Sequence, residues 1–121
     1  MDFKKQKPIY LQIADRLTDQ MLDGTLHPDD RMPSVREVAA QMGVNPNTVM
    51  RTFDHLLVEG MVYNRRGVGY FVAADAQQRV LAGMWREFME EVVPAICQRM
   101  QQLGISTAEL TETINQQQGA Q

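Results

Sequence analysis

The chain has 121 residues, with 12 Lys and Arg against 15 Asp and Glu, for a formal net charge of −3. That length suits one domain with a modest core plus an appendage, and no apolar run approaches the ~20 residues of a membrane span. One cysteine, Cys97, excludes a disulfide framework and a cysteine-based zinc cage. The N-terminal MDFKKQK leads into no apolar signal core, so a soluble cytoplasmic protein without a membrane partner is expected.

Residues 1–75 carry nine basic and ten acidic side chains, and residues 76–121 carry three and five. Neither part is a polycation, so binding to phosphates would require local clustering of charge. Nine methionines are many for this length, and Met fills both cores and adaptable contact surfaces.

The first helix is expected from Pro8 to Gly24, with Ile9, Ile13, Leu17 and Met21 as its apolar stripe and Asp15, Asp19 and Asp23 in water. Lys4, Lys5 and Lys7 precede it, as phosphate contacts or as a solvated tail. A polar loop follows over residues 25–31. Ser34 and Glu37 then form an S-x-x-E capping box that opens a second helix, which ends at Gly43. Asn45 caps a third helix with Pro46 in its first turn; it runs to about Val58 and stops at Gly60. Its buried stripe reads Val49, Phe53, Leu56 and Leu57.

A short helix, a glycine-containing turn and another helix make a helix-turn-helix. Residues 61–64 and 70–73 are rich in β-branched and aromatic side chains, and Arg65-Arg66-Gly67-Val68-Gly69 joins them as a hairpin. The fold class is therefore α+β and mostly α: an N-terminal winged helix-turn-helix over residues 1–75, then a short helical tail over 76–121. In the tail, Val80, Leu81, Met84, Trp85, Phe88, Val92, Ile96, Met100 and Leu103 recur at helical spacing, and Pro94 predicts a kink or break near residues 91–94. Gly104 closes that segment, and Ser106 with Glu109 forms a second capping box. The Gln-rich stretch 116–121 is expected to fray. Helices this short cannot enclose a core alone, so their stripe needs the winged helix or a second subunit. Leu81, Met84, Trp85, Phe88, Val92 and Ile96 are the expected dimerisation residues.

Residues 31–72 resemble the GntR family of bacterial transcription regulators. The matching fragments are Met32-Pro33-Ser34-Val35-Arg36-Glu37, Gly43-Val44-Asn45-Pro46-Asn47-Thr48-Val49, Glu59-Gly60-Met61-Val62 and Arg65-Arg66-Gly67-Val68-Gly69-Tyr70-Phe71-Val72. Asn-Pro-Asn-Thr-Val-Met-Arg at 45–51, together with the short tail, looks like the YtrA-like subfamily. That resemblance implies dimerisation through the tail and repression, often of operons for ABC transporters. Two positions depart from the pattern. Many relatives carry a basic, DNA-contacting residue where this chain has Pro46 and often another where it has Met50, so those contacts, and the relatives' operators, do not carry over.

Candidate DNA-binding residues follow from chemistry and context. Asn47, Thr48 and Arg51 share one face of the third helix, and Asn can pair bidentately with adenine. Arg36 sits in the first turn of the second helix, where the macrodipole disfavours a cation unless a phosphate or guanine edge is near. Ser34 is a cap that can also reach a phosphate. Arg65, Arg66 and Gly67 lie at the wing tip and suit the minor groove or the backbone. Double-stranded DNA and a second copy of the chain are the expected partners, with base edges read by Asn47, Thr48 and Arg36 and phosphates held by Arg51, Arg65 and Arg66. The bland alternatives are a solvated helix face, a salt bridge for Arg36 and a charged, soluble turn.

Two other classes compete with DNA binding: a winged helix serving as a protein-interaction module, and a small-molecule sensor built on Trp85, Met84, Phe88 and Met89. The first calls for apolar side chains on the third helix, where Asn47, Thr48 and Arg51 stand. An unidentified effector at that tail cluster stays open beside a purely structural dimer core. An enzyme is not expected, since His27, His55 and Cys97 fall at no triad or metal-ligand spacing and no Gly-rich phosphate loop follows a strand. Neither a metal nor another cofactor is called for.

Overall fold

Pro8 and Gly24 bound the first helix as the residue pattern requires. The computed structural model describes residues 7–119, in the order α1 (Ile9–Asp23), α2 (Val35–Met42), α3 (Pro46–Val58), β1 (Val62–Arg65), β2 (Gly69–Val72), α4 (Ala76–Glu87), a π-helical segment (Phe88–Val92), α5 (Val93–Leu103) and α6 (Thr107–Gly119). Lys4 and Lys5 lie outside the described residues. The chain divides into two compact units, one ending at Met84 and the other beginning at Trp85. The first is a winged helix: three helices and a two-stranded antiparallel hairpin around one core.

Each helix of the first unit stops or starts where local chemistry dictates. Gly24 and Gly43 close α1 and α2 in the left-handed conformation that a side chain disfavours. Ser34 completes its capping box with Glu37, and the Asn45 side chain accepts from the Asn47 N–H at 2.8 Å. Ile13, Ala14, Leu17 and Met21 of α1 meet Val38 and Ala39 of α2 and Val49, Phe53 and Leu56 of α3 in the core, with Val62 and Val72 from the hairpin. Phe53 is fully buried and stacks on Tyr70, with ring centroids 4.9 Å apart. Burying one such side chain contributes about 1.5–3 kcal/mol.

The helical stripes need two corrections. Leu57 is 40 % exposed, and Thr52 takes its place in the buried face of α3 at 0 %. Ile9 lies outside the core of α1, where Ala14 is buried instead. Leu57 is one residue past the 49, 52, 53, 56 repeat, so 100° of helical rotation carries it out. Apolar character alone cannot detect Thr52. Its hydroxyl donates to the Tyr10 carbonyl at 2.7 Å, with the Thr48 carbonyl 3.2 Å away as a second acceptor. A buried hydroxyl persists only with such a partner.

The hairpin is one residue out of step with its expected bounds, and its loop is shorter. Arg65 pairs with Gly69 as the last rung, so only residues 66–68 turn. The Val68 N–H donates to the Arg65 carbonyl at 2.9 Å, with Gly67 at φ 77°, the positive φ that a type II turn requires at its third residue. The expected polar loop 25–31 ends in ladder hydrogen bonds to β2: Asp29 N–H to the Val72 carbonyl, Val72 N–H to Asp30, and Met32 N–H to Tyr70, all at 2.8–2.9 Å. An isolated bridge joins Arg31 to Phe71.

The first unit also takes in the start of α4, where Ala76 and Val80 are buried in its core. The Arg79 guanidinium lies against Gly60, where a Cβ would come within 2.9 Å of it. In the second unit, Pro94 changes the helical register rather than breaking the helix. It lacks an N–H and its ring crowds the carbonyl four residues back. The wider turn of Phe88–Val92 resolves this, with the Val93 N–H reaching the Phe88 carbonyl and Pro94 left in the first turn of α5. Gly104 ends α5, and the Ser106–Glu109 capping box starts α6. Residues 116–119, expected to fray, are helical.

Replacing Thr52 with the isosteric Val removes one buried hydrogen bond while keeping shape. Urea unfolding followed by circular dichroism is expected to record a loss of about 1–2 kcal/mol.

Candidate nucleic-acid interface

Three local structures bring the candidate residues to the surface of the first unit. The capping box of α2 occupies the acceptor side of Ser34: the Glu37 N–H donates to its Oγ at 3.1 Å, while the Ser34 N–H donates to Glu37 Oε1 at 3.4 Å. The hydroxyl proton remains available. Arg36, two residues on, is exposed and makes no ion pair or hydrogen bond among the described residues. Glu37, the nearest acid in sequence, is engaged in the cap. A cation left unpaired at a helix N-terminus gains from any anion brought to it.

On α3, the buried positions 49, 52, 53 and 56 leave Asn47, Met50, Arg51 and Asp54 exposed on the opposite side. The side-chain amide of Asn47 has no partner among the described residues. Arg51 leans towards α1, its guanidinium 4.0 Å from the centroid of the Tyr10 ring. That contact is worth about 0.5–1 kcal/mol at an exposed site and leaves the planar N–H edge free for an anion. Thr48 is half-buried, and it lines a shallow depression beside α1 together with Asn47, Arg51, Pro8, Ile9 and Tyr10. The three candidates of α3 thus gather around one depression, with Asn47 and Arg51 more exposed than Thr48.

On the wing, Arg65 belongs to β1 rather than to the loop, and its guanidinium lies 5.0 Å from the centroid of Phe71. Tyr63 stacks on the same ring at 5.7 Å. Arg66 and Gly67 occupy the turn itself, with Arg66 exposed and unpaired among the described residues. Arg16, Arg86 and Arg99 are equally unpaired among the described residues, so the distinction of Arg36 and Arg66 is their place, at a helix start and at a wing tip. Lys7 is paired with Asp15 at 2.9 Å.

Three supporting residues escaped the sequence reading. Tyr10 carries Arg51 and, through its carbonyl, Thr52. Arg31 donates from Nη2 to the Val68 carbonyl at 2.8 Å and so braces the wing turn. Asp29, at φ 65°, accepts from the Tyr63 hydroxyl at 2.9 Å, tying β1 to the preceding loop. Each contact joins residues 34 or more positions apart, and no local pattern encodes it. Asp at a left-handed position is the one available hint.

The expected dimerisation residues are mostly open. Leu81 and Met84 in the first unit, and Trp85 and Phe88 in the second, are exposed, Trp85 at 67 %; Val92 and Ile96 are half-buried. No helix among the described residues is long and apolar enough to cross a membrane, and no group of three His, Cys, Asp or Glu among them could hold a metal.

Comparison with known proteins places these features. A family profile described as "Bacterial regulatory proteins, gntR family" matches residues 9–72. The uncharacterized HTH-type transcriptional regulator YhcF of Bacillus subtilis is 39 % identical over 93 % of this chain and 91 % of its own length. The HTH-type transcriptional repressor YtrA of the same organism is 33 % identical, over 76 % of this chain and 71 % of its own. Among solved structures, a putative GntR-family regulator from Bacteroides thetaiotaomicron superposes with a TM-score of 0.80 at 38 % identity, over 90 % of this chain and 95 % of its own. The DNA-binding domain of AraR, solved with operator ORX1, matches with a TM-score of 0.54 at 29 % identity, over 56 % of this chain and 82 % of its own.

The Tyr63–Asp29 contact makes a spectroscopic prediction. The hydrogen bond to the carboxylate favours the neutral phenol, which raises the Tyr63 pKa above its usual 10.0. Its contribution to stability is therefore full below the ordinary tyrosine pKa and is lost as pH rises through the raised one. In phenolate absorbance titrations, the group missing from Tyr63→Phe is expected to ionise above 10.0 in the wild type, and Asp29→Asn is expected to return it towards that value.

Proposed function

This chain belongs to the gntR family of bacterial regulatory proteins, and from that premise we propose that it is a homodimeric, sequence-specific DNA-binding repressor that blocks transcription by occupying an inverted-repeat operator. The family and the relatives are transcriptional regulators, not enzymes. The observation that carries the reading is the exposed face of α3, where Asn47 and Arg51 lie on the side opposite the core, with Arg36 and Arg66 unpaired among the described residues at the start of α2 and the tip of the wing. On this reading Asn47, Thr48 and Arg36 read base edges in the major groove. Arg51, Arg65 and Arg66, with Ser34 and the Gly67 backbone, hold phosphates or the minor groove.

Leu81, Met84, Trp85 and Phe88, apolar and exposed, supply the dimer contact together with the half-buried Val92 and Ile96. A two-fold dimer then sets its recognition helices ~34 Å apart along the duplex. The YtrA resemblance suggests a transporter operon as the target, and a small-molecule effector would act at the Trp85 cluster of the tail. The setting is the cytoplasm. With few cations per subunit and net charge −3, non-specific binding is weak and falls steeply with salt.

Retardation of the chain's own promoter region tests the reading. The wild type is expected to shift that DNA in preference to random sequence, Arg36→Ala and Asn47→Ala to lose about 5–100-fold in affinity per half-site, and Arg66→Ala to lower the salt slope by about 1.8, or about 0.9 per subunit of the dimer. No preference there, and none in a genome-wide DNA selection, would overturn it in favour of a protein-interaction module. Dimerisation has its own test, sedimentation equilibrium: the wild type is expected at twice the chain mass and Trp85→Glu at the monomer mass, both with folded spectra. A monomeric wild type would remove the dimer.

A further inference from the structure

We propose that Met50 reads the C5-methyl group of a thymine in the operator's major groove. This inference rests on DNA binding through α3 and adds a specificity-determining residue to it. Met50 follows Asn47 by three residues and precedes Asp54 by four, so it shares the outward face that the buried positions 49, 52, 53 and 56 leave exposed. It is 53 % exposed. Asn47 and Arg51 border the depression beside Tyr10, and Met50 lies next to Asn47 on its other side, one helical turn on.

Elimination fixes what such a side chain can recognise. A thioether donates no hydrogen bond and accepts only weakly. Laid over the N7, O6, O4 or amino groups of a base edge, it displaces their water and returns nothing, which is unfavourable. The one apolar handle that the four bases present in the major groove is the thymine methyl. A flexible, polarisable chain three residues from Asn47 covers that methyl and loses its own exposed surface in doing so. Side chains three apart on a helix lie about 5–6 Å from one another, and bases stack about 3.4 Å apart along a strand. The thymine therefore lies within one or two base steps of the base paired with Asn47.

The test is a methyl-deletion scan. A site selected by the full chain from random DNA is resynthesised with deoxyuridine in place of each thymine in turn, which removes only the methyl. Affinities are measured by fluorescence anisotropy for the wild type, Met50→Ala and Met50→Leu. One thymine per half-site is expected to weaken wild-type binding by about fourfold when demethylated, the equivalent of one buried methyl. The same change leaves Met50→Ala binding unaltered, and Met50→Leu keeps most of the discrimination. Met50→Ala retains the wild-type melting temperature, because the site is exposed and Ala favours helix. A selected site on which wild type and Met50→Ala give superimposable scans overturns the role of Met50 while leaving DNA recognition intact. Failure to select any sequence overturns DNA recognition, and this assignment with it.

Discussion

What α3 offers to the outside depends on how its inside is held. A 13-residue helix is marginal in water by itself, and each residue turns the helix by 100°, so its rotation must come from packing. Val49, Phe53 and Leu56 supply the apolar part of that anchor, and Thr52 supplies the directional part. Its hydroxyl has no access to water, and the Tyr10 carbonyl is its partner across the α1–α3 seam. A slip of α3 along or around α1 would break that cross-helix bond, leaving the hydroxyl only the longer contact to the Thr48 carbonyl of its own helix, and would bring Leu57 or Thr48 inward. The same residue of α1 that accepts from Thr52 carries the Arg51 guanidinium on its ring. One helix turn of α1 thus sets both the register of α3 and the direction of its cation.

The wing solves a related problem with different means. Two four-residue strands are a marginal structure in isolation. Three bridges from outside the hairpin stiffen it: the extended segment 29–32 along β2, the Tyr63 hydroxyl on Asp29, and Arg31 on the Val68 carbonyl. Phe71 lies between the Tyr63 ring and the Arg65 guanidinium on one sheet face. Arg66 is left as the exposed cation of a turn whose backbone is fixed. Flexibility in the glycine-containing loop is therefore smaller than its composition suggests.

An excess of acid is compatible with local cations because several acids lie along α1 or are engaged by other groups, although Asp54 shares the exposed side of α3 with Arg51. Asp15, Asp19 and Asp23 are exposed along α1, where Asp15 also takes up Lys7. Asp75 takes up Arg79, and Glu37 is spent on the α2 cap. Arg36, Arg51 and Arg66 keep their charge uncompensated by any acid among the described residues. Net charge describes the molecule at long range, whereas these positions govern the field within a Debye length of about 8–10 Å.

Much of the fold was legible in the sequence because its signals are local. A capping box, an Asn-Pro helix start and glycines that must take positive φ act within four residues, so α1, α2, α3 and the hairpin were readable, as were Asn47, Arg51, Arg36 and Arg66 as exposed polar positions. Amphipathic period is also local, yet it failed at Leu57 and Ile9, since hydropathy cannot distinguish a threonine that finds a buried acceptor from a leucine that turns outward. At Pro94 the sequence determined that ordinary helical hydrogen bonding must fail, and only the structure decided that a wider turn, rather than a break, would absorb it. Tyr10 beneath Arg51, Arg31 beneath the wing and Asp29 on Tyr63 belong wholly to the tertiary structure. Each joins side chains dozens of residues apart, and that proximity exists only after the chain has closed around Phe53.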